Sequence, residues 1–568
     1  MQSIAPRLLG SIVALLAADI VQAQSAGAGI AAGQEQLQRE RERLLRQQQE
    51  QSPDVRLPAP PPDDEAVAFP AQESPCFPIV RIDLAGEAAQ RFRFALDSIA
   101  GGDGALGRCL GAQGVGVVIA RVQNAIIRRG YTTTQVRAET QDLKSGELIL
   151  TVLPGHVRRI RFADGADPRG TAWNALPIDQ GDILNLRDLE QGLENFKRVP
   201  TADADIQIAP AETQAQAGDS DVVISYRQGF PFRLSASLDD GGSRATGKYQ
   251  VGATLSYDNW WTLNDLFYVN WNRSLGSQGE RGAHSHTIHY SIPFGYWTLG
   301  ATLSGSRYRQ QVAGANPEPI VYSGQSENAE LKLSRVVYRD ATRKTALSLK
   351  GLMHSSRNFI DDTEVGPQRH QTSAWEAGIN HREFMGPAIV ETNLAYRRAL
   401  DKQGREPESP IDLPQLAARY SLWLADVSVN APFQLAGQRL RYYGVVRAQW
   451  NRGALPQQDQ FSIGGRYTVR GFDGELILQA ERGWTLRNEL ALALGESNQE
   501  LYVGLDAGQV GGPSAQYLLG QRLAGAVVGL RGGFGKVSYE AFLGTPLVKP
   551  EGFRAAGVAG GFSVVFAF

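Results

Sequence analysis

The last stretch of the chain reads Phe562-Ser563-Val564-Val565-Phe566-Ala567-Phe568, with a large apolar residue at every second position. Alternate residues of a strand share a face, so Phe562, Val564, Phe566 and Phe568 line one side of it. A side this apolar suits a terminal strand that faces lipid. The same two-residue period recurs upstream in Leu266-Phe267-Tyr268-Val269-Asn270-Trp271, Trp297-Thr298-Leu299-Gly300-Ala301-Thr302-Leu303, Ala346-Leu347-Ser348-Leu349-Lys350 and Leu440-Arg441-Tyr442-Tyr443-Gly444-Val445-Val446. Gly, Asn, Asp and Pro punctuate these segments. About 340 residues from 229 onward, at roughly 10 per strand with alternately short and long turns, predict some 16 antiparallel strands.

Nowhere does the chain reach the roughly 20 consecutive apolar residues that a spanning helix needs. The only other fold that satisfies every backbone group in lipid is a closed barrel. The mean hydropathy of −0.27 is compatible with that, because barrels alternate lipid-facing and lumen-facing residues. A soluble β-sandwich or propeller is the competing fold, but no blade-like repeat is visible.

Upstream of 229 the character changes. Residues 76–228 read as two successive α/β modules, 76–154 and 155–228. The first has strands at Phe77 to Ile82 and Glu147 to Val152 around a helix from Val115 to Arg129. The second has strands at Val157 to Phe162, Asp205 to Ile208 and Val222 to Tyr226 with a helix from Leu186 to Lys197. Residues 52–75 are a linker with prolines at 53, 58, 60, 61, 62, 70 and 75; an extended Pro-rich segment of this length reaches roughly 70 Å. Before it, Glu35 to Gln51 lacks Gly and Pro and pairs Glu35 with Arg39 and Glu42 with Arg46 at i,i+4, which predicts a helix within 24–51. Its apolar residues are few, so it stands in water or in a polar channel. Arg7, the apolar run Leu8 to Ala18 and Val21-Gln22-Ala23 read as a signal peptide, 1–23.

Export to an oxidising compartment bears on Cys76 and Cys109, the chain's two cysteines. With no histidine nearby they make a poor zinc site and a plausible disulfide; two unpaired buried thiols are the alternative. The balance of 57 Lys+Arg against 59 Asp+Glu leaves no general polyanion-binding field, so nucleic acid is not an expected partner. There is no Gly-x-Ser-x-Gly elbow and no phosphate-binding loop with a Lys. Neither an enzyme, a cofactor nor a metal is expected, and His284, His286 and His289 are read as a loop cluster without function.

In this order of parts the chain resembles the outer-membrane transporters of two-partner secretion, the haemolysin secretion/activation proteins of FhaC and ShlB type. Pro75-Cys76-Phe77 with Gly107-Arg108-Cys109-Leu110-Gly111 resembles the first POTRA domain of disulfide-bearing members. Asn185-Leu186-Arg187-Asp188-Leu189-Glu190-Gln191 resembles the helix of the second, and Tyr338-Arg339-Asp340 with Lys344-Thr345 a family turn. The resemblance implies a plug helix, a linker, two periplasmic POTRA domains and a barrel of about sixteen strands in a Gram-negative outer membrane. It implies a large secreted partner, bound through its N-terminal secretion domain. It also implies contact with outer-membrane lipid, and assembly machinery that reads Phe568 as the C-terminal signal. A barrel-assembly factor is the alternative, but such proteins carry more POTRA domains and no plug.

The most specific resemblance is Val469-Arg470-Gly471-Phe472, after Phe461-Ser462-Ile463-Gly464-Gly465. It is similar to the tip of a sixth extracellular loop that folds back into the barrel, with Gly504-Leu505-Asp506-Ala507-Gly508 as the wall. Asp506 is then the expected partner of Arg470, because a guanidinium in a wet lumen needs a carboxylate that it can meet with two prongs.

Overall fold

A computed structural model describes residues 31, 33–51, 53–58, 68–211, 218–276, 281–312, 319–400 and 420–568. The expected signal peptide lies outside these residues.

Sixteen long antiparallel strands close into one barrel from Phe232–Asp239 round to Ala559–Ala567, with a two-residue strand at Thr363–Glu364 beside one of them. The first and last strands close the ring from Asp239–Ser563 to Ser235–Ala567. Strand lengths run from 8 residues to the 20 of Ile320–Arg339. The expectation of about ten underestimates several strands, whose polar upper ends pair on beyond the lipid-facing band. Alternation sets the faces. On Arg343–Ile360, Leu347, Leu349 and Met353 point outward and exposed, while Lys350 turns inward to Glu376 at 2.7 Å. Trp375, Tyr396 and Trp423 form one aromatic band round the outside, with ring centroids 5.6 and 5.0 Å apart.

His284, His286 and His289 lie on the strand Gly282–Phe294, not in a loop. Polar residues occupy both faces of that segment, which hides the apolar/polar contrast of a strand. His289 faces inward, within 2.9 Å of Thr302 and 3.0 Å of Ser291, and the other two face outward. Among the described residues no cluster of ligand side chains is placed to hold a metal ion.

Two three-stranded sheets precede the barrel. In the first, Arg81–Ala85 pairs in parallel with Glu147–Leu153, which pairs antiparallel with Gln135–Arg137. Its core gathers Phe92, Val118, Val122, Leu148 and Leu150 between this sheet, helix α2 (Ala112–Arg128) and a 3-10 helix, Ala89–Ile99. Cys76 and Cys109 are bonded, with Cα atoms 5.2 Å apart; closing a loop of that size stabilises by about 3 to 4 kcal/mol. The second sheet joins Val157–Phe162 in parallel to Ser220–Gln228, with Ala202–Pro210 antiparallel at the far edge. Helix α3 (Leu186–Lys197) covers it, capped by the Asn185 side chain. Ser220–Gln228 leads after three residues into the first barrel strand, so the barrel ends near this sheet are those that the resemblance implies to be periplasmic. Residues 33–49 form helix α1, about 25 Å long.

Candidate functional site

Two structures occupy the lumen. The first is the sixth extracellular loop, 451–481, which joins Gln438–Trp450 to Arg482–Ala493. A small hairpin inside it, Phe461–Ile463 with Leu478–Ala480, stiffens its base, and the chain between runs down to the wall. There Arg470 is 2% exposed. Its Nε and Nη2 donate to the two oxygens of Asp506 at 2.7 and 2.8 Å, and its backbone N–H reaches the same carboxylate at 3.0 Å. Nη1 donates to Glu489 at 2.5 Å, and Arg531 reaches the other oxygen of Glu489 at 2.8 Å.

The backbones meet as closely as the charges. Gly471 has φ 105°, open to glycine and strained for other residues, and a Cβ there would stand 2.5 Å from the Thr545 carbonyl oxygen. A Cβ at Gly525 of the wall would collide with the Arg470 carbonyl oxygen. Val469 and Phe472 flank the arginine inside an apolar cluster with Ile463, Leu523 and Phe553. The four loop residues singled out in the sequence and Asp506 are thus brought together. Phe568 is elsewhere, at the periplasmic rim, where its N–H donates to the Leu234 carbonyl at 2.8 Å.

The second occupant is α1. Its upper end meets the first extracellular loop, where Gln34 donates to Ser243 at 3.0 Å. Along its length Glu40 accepts from Arg447 at 2.7 Å, Arg41 pairs with Asp239 at 3.3 Å and Arg46 with Glu330 at 2.8 Å. Below it, Glu50 accepts from Tyr268 at 3.0 Å. Leu45 packs on an apolar patch, with Val199, Leu266 and Tyr268; Leu44 is exposed in the lumen.

The periplasmic mouth is braced by α3. Arg339, at a turn of the barrel, donates to Glu190 at 3.1 Å and Glu194 at 3.0 Å, and Lys344 also pairs with Glu194. Burial works against the Glu194 carboxylate, but Lys344 and Arg339 hold it below the usual carboxylate range. Burial pushes Asp188 up, with the Tyr296 hydroxyl opposing. The segment 53–58 is seated in the same place: the N–H groups of Val55 and Leu57 donate to Glu194 and Glu190 at 3.2 and 2.9 Å, and Arg339 reaches the Val55 carbonyl at 2.6 Å.

Residues 218–532 match the family described as haemolysin secretion/activation protein ShlB/FhaC/HecB, 77–155 a POTRA domain of ShlB type and 156–210 a further POTRA domain. The chain belongs to the ShlB/FhaC/HecB family. Its relatives include the outer membrane transporter CdiB-2 of Burkholderia pseudomallei, 37% identical over 91% of this chain and 90% of that one. The hemolysin transporter protein ShlB of Serratia marcescens is 24% identical over 78% and 77%. The solved structure of CdiB from Acinetobacter baumannii superposes with a TM-score of 0.83 at 31% identity, covering 95% of this chain and 99% of that one.

As a ShlB/FhaC/HecB member, the chain is an outer-membrane transporter of two-partner secretion, and its partner is a large exoprotein. Its POTRA domains stand in the periplasm. Glu489 and Arg531, which complete the charge cluster of this transporter, belong to no motif found in the sequence. The available signal was a run of charges at alternate positions, Arg487 and Glu489, on a strand whose other face is apolar. Glu190 and Glu194 gave a weaker signal, two carboxylates one turn apart beside Arg187 and Gln191 on the polar face of α3, which is nevertheless buried.

Proposed function

We propose that the lumen is a gated conduit for one exoprotein of the hemolysin, adhesin or contact-dependent toxin class. The POTRA pair takes up the secretion domain of this cargo in the periplasm, in part by adding its extended chain to a sheet edge. Helix α1 then leaves the lumen and the cargo passes unfolded, without nucleotide, cofactor or catalytic step. Folding outside biases the direction. Throughout, Arg470 and Asp506 act as one unit that keeps the sixth loop against the wall. The outer faces of the strands meet outer-membrane lipid, and Phe568 is the signal read by the barrel assembly machinery during insertion.

The observation that carries this reading is the character of α1. It stands in the lumen beside the sixth loop, its contacts are almost all between charged or polar side chains, and a linker ties it to the POTRA domains. Such a helix exchanges its protein partners for water at small net cost. Deleting residues 24–51 should raise single-channel conductance in planar bilayers while secretion of a co-expressed exoprotein continues. Unchanged conductance would reduce α1 to a tether.

A further inference from the structure

One large aromatic of the second POTRA domain has no place in its core. Trp173 is 65% exposed, on a loop before α3. The loop is built onto the barrel rather than free. The Asn174 side chain donates to the carbonyls of Leu263 and Pro293 at 2.5 and 3.2 Å, and the Asn174 carbonyl accepts from Gly295 at 2.8 Å. Asn264 donates to the Thr171 carbonyl at 2.8 Å. These contacts clamp the loop between the first two periplasmic turns of the barrel and aim Trp173 outward.

The indole joins an aromatic rim that the barrel already carries. It meets the exposed Phe294 edge-on at 5.7 Å. On the adjacent strand Trp297 is exposed, and the Arg335 guanidinium lies 5.0 Å from its ring centroid. On the other side Phe232, Tyr257 and Trp260 follow one another at 4.4 and 5.2 Å on outward positions. Amphipathic rings in such a band sit at the headgroup level of a bilayer. Continuity with that band, and a guanidinium placed for phosphate, select lipid over a protein as the occupant.

We propose that Trp173 is a membrane anchor of the second POTRA domain, inserted among the phospholipid headgroups of the periplasmic leaflet beside Phe294, Trp297 and Arg335. The periplasmic domain is then held by the bilayer as well as by the barrel. The anchor presupposes that the outer strand faces meet lipid.

Since the two native cysteines are bonded to each other, an introduced cysteine is the only thiol. Trp173→Cys, Gly116→Cys on α2 of the first POTRA domain, where a side chain meets open space, and Leu349→Cys on the outer barrel wall would each be labelled with an environment-sensitive fluorophore. The full chain would be placed in phosphatidylethanolamine/phosphatidylglycerol nanodiscs containing spin-labelled phospholipid. The label at 173 should be quenched several-fold more by a nitroxide near the headgroup than the label at 116, and that at 349 most by a mid-chain nitroxide. If 349 is quenched and 173 behaves like 116, yielding only to aqueous iodide, the anchor is refuted while the barrel stands. If neither 349 nor 173 is quenched, the lipid-facing reading of the barrel falls, and the anchor with it. Trp173→Ser tests the same point without a label. Bromolipid quenching of the remaining eight of nine tryptophans should drop relative to the unaltered chain, and an undiminished signal overturns the proposal.

Discussion

The sixth loop and helix α1 both sit in the lumen and are both held by ion pairs, yet they are built to opposite specifications. Around Arg470 the charges are dry, the guanidinium is bound along two edges, and glycine lets backbone touch backbone. Around α1 the pairs are spread along the helix rather than gathered at one point, and most are partly open: Arg46 and Glu330 keep 25% and 15% of their side-chain surface exposed. A dry, convergent site is costly to break because a lost partner strands a charge. A row of half-wet pairs is weak link by link and screened by salt. On the proposed reading, the lumen thus contains one fixture and one removable part.

The largest effect should come from the fixture. Arg470→Ala leaves Asp506 without its main partner and is expected to cost about 3 to 5 kcal/mol locally. Secretion should fall strongly while a heat-modifiable, folded barrel remains on gels. Asp506→Ala should be somewhat milder, because Glu489 still holds the guanidinium, and the double variant little worse than Arg470→Ala. Gly525→Ala, which touches no charge, should match these losses by pushing the loop off the wall. If it secretes normally, close backbone approach is not part of the lock.

A middle-sized effect belongs to the brace between α3 and the barrel. Arg339→Ala removes the partner that Glu190 and Glu194 share and leaves them to Arg187 and Lys344, at a cost of about 1.5 to 3 kcal/mol. It should release residues 53–58, seen as faster hydrogen exchange or proteolysis there, with the barrel core unchanged. Protection equal to the unaltered protein would mean that the segment is held by something other than Arg339.

The smallest single effect is expected on α1. Arg46→Gln should loosen the helix by only about 0.5 to 1 kcal/mol, raising the frequency of brief openings in planar bilayers rather than the size of the open state. The openings should grow more frequent in 1 M than in 0.1 M KCl, since exposed pairs are screened. A salt-independent trace would move α1 into the same class as the loop.

What the sequence discloses follows from whether a feature is local. The alternation that ends at Phe568 and the turn-bounded strands depend on neighbours two residues away, and so does the cap-to-end pattern of α3 over Leu186–Lys197. The Arg470 motif is legible because glycines and an arginine must stand in one short run. Glu489 is different: its meeting with Arg470 depends on the register of Arg482–Ala493 against Gln499–Gly511 and on how deep the loop descends, neither of which a local pattern encodes. The 3-10 helix Ala89–Ile99 leaves no clear signal, although Phe92, Ala95 and Ile99 face the core, because a short amphipathic turn between charged residues has little contrast. Trp173 was equally silent, as an aromatic in a loop before a helix suggests nothing until the barrel turns are beside it.

Helix α1 lies lengthwise in the barrel, with one end under the first extracellular loop and the other at the periplasmic mouth. It is therefore also a gauge of the bore. A helix with its side chains is about 10 to 12 Å across, and on the proposed reading its withdrawal opens about that width beside the sixth loop. An extended polypeptide, or a hairpin whose two strands lie about 4.8 Å apart, passes such an opening. A folded domain does not, so, if α1 is the stopper proposed above, its caliber sets the state in which cargo must arrive.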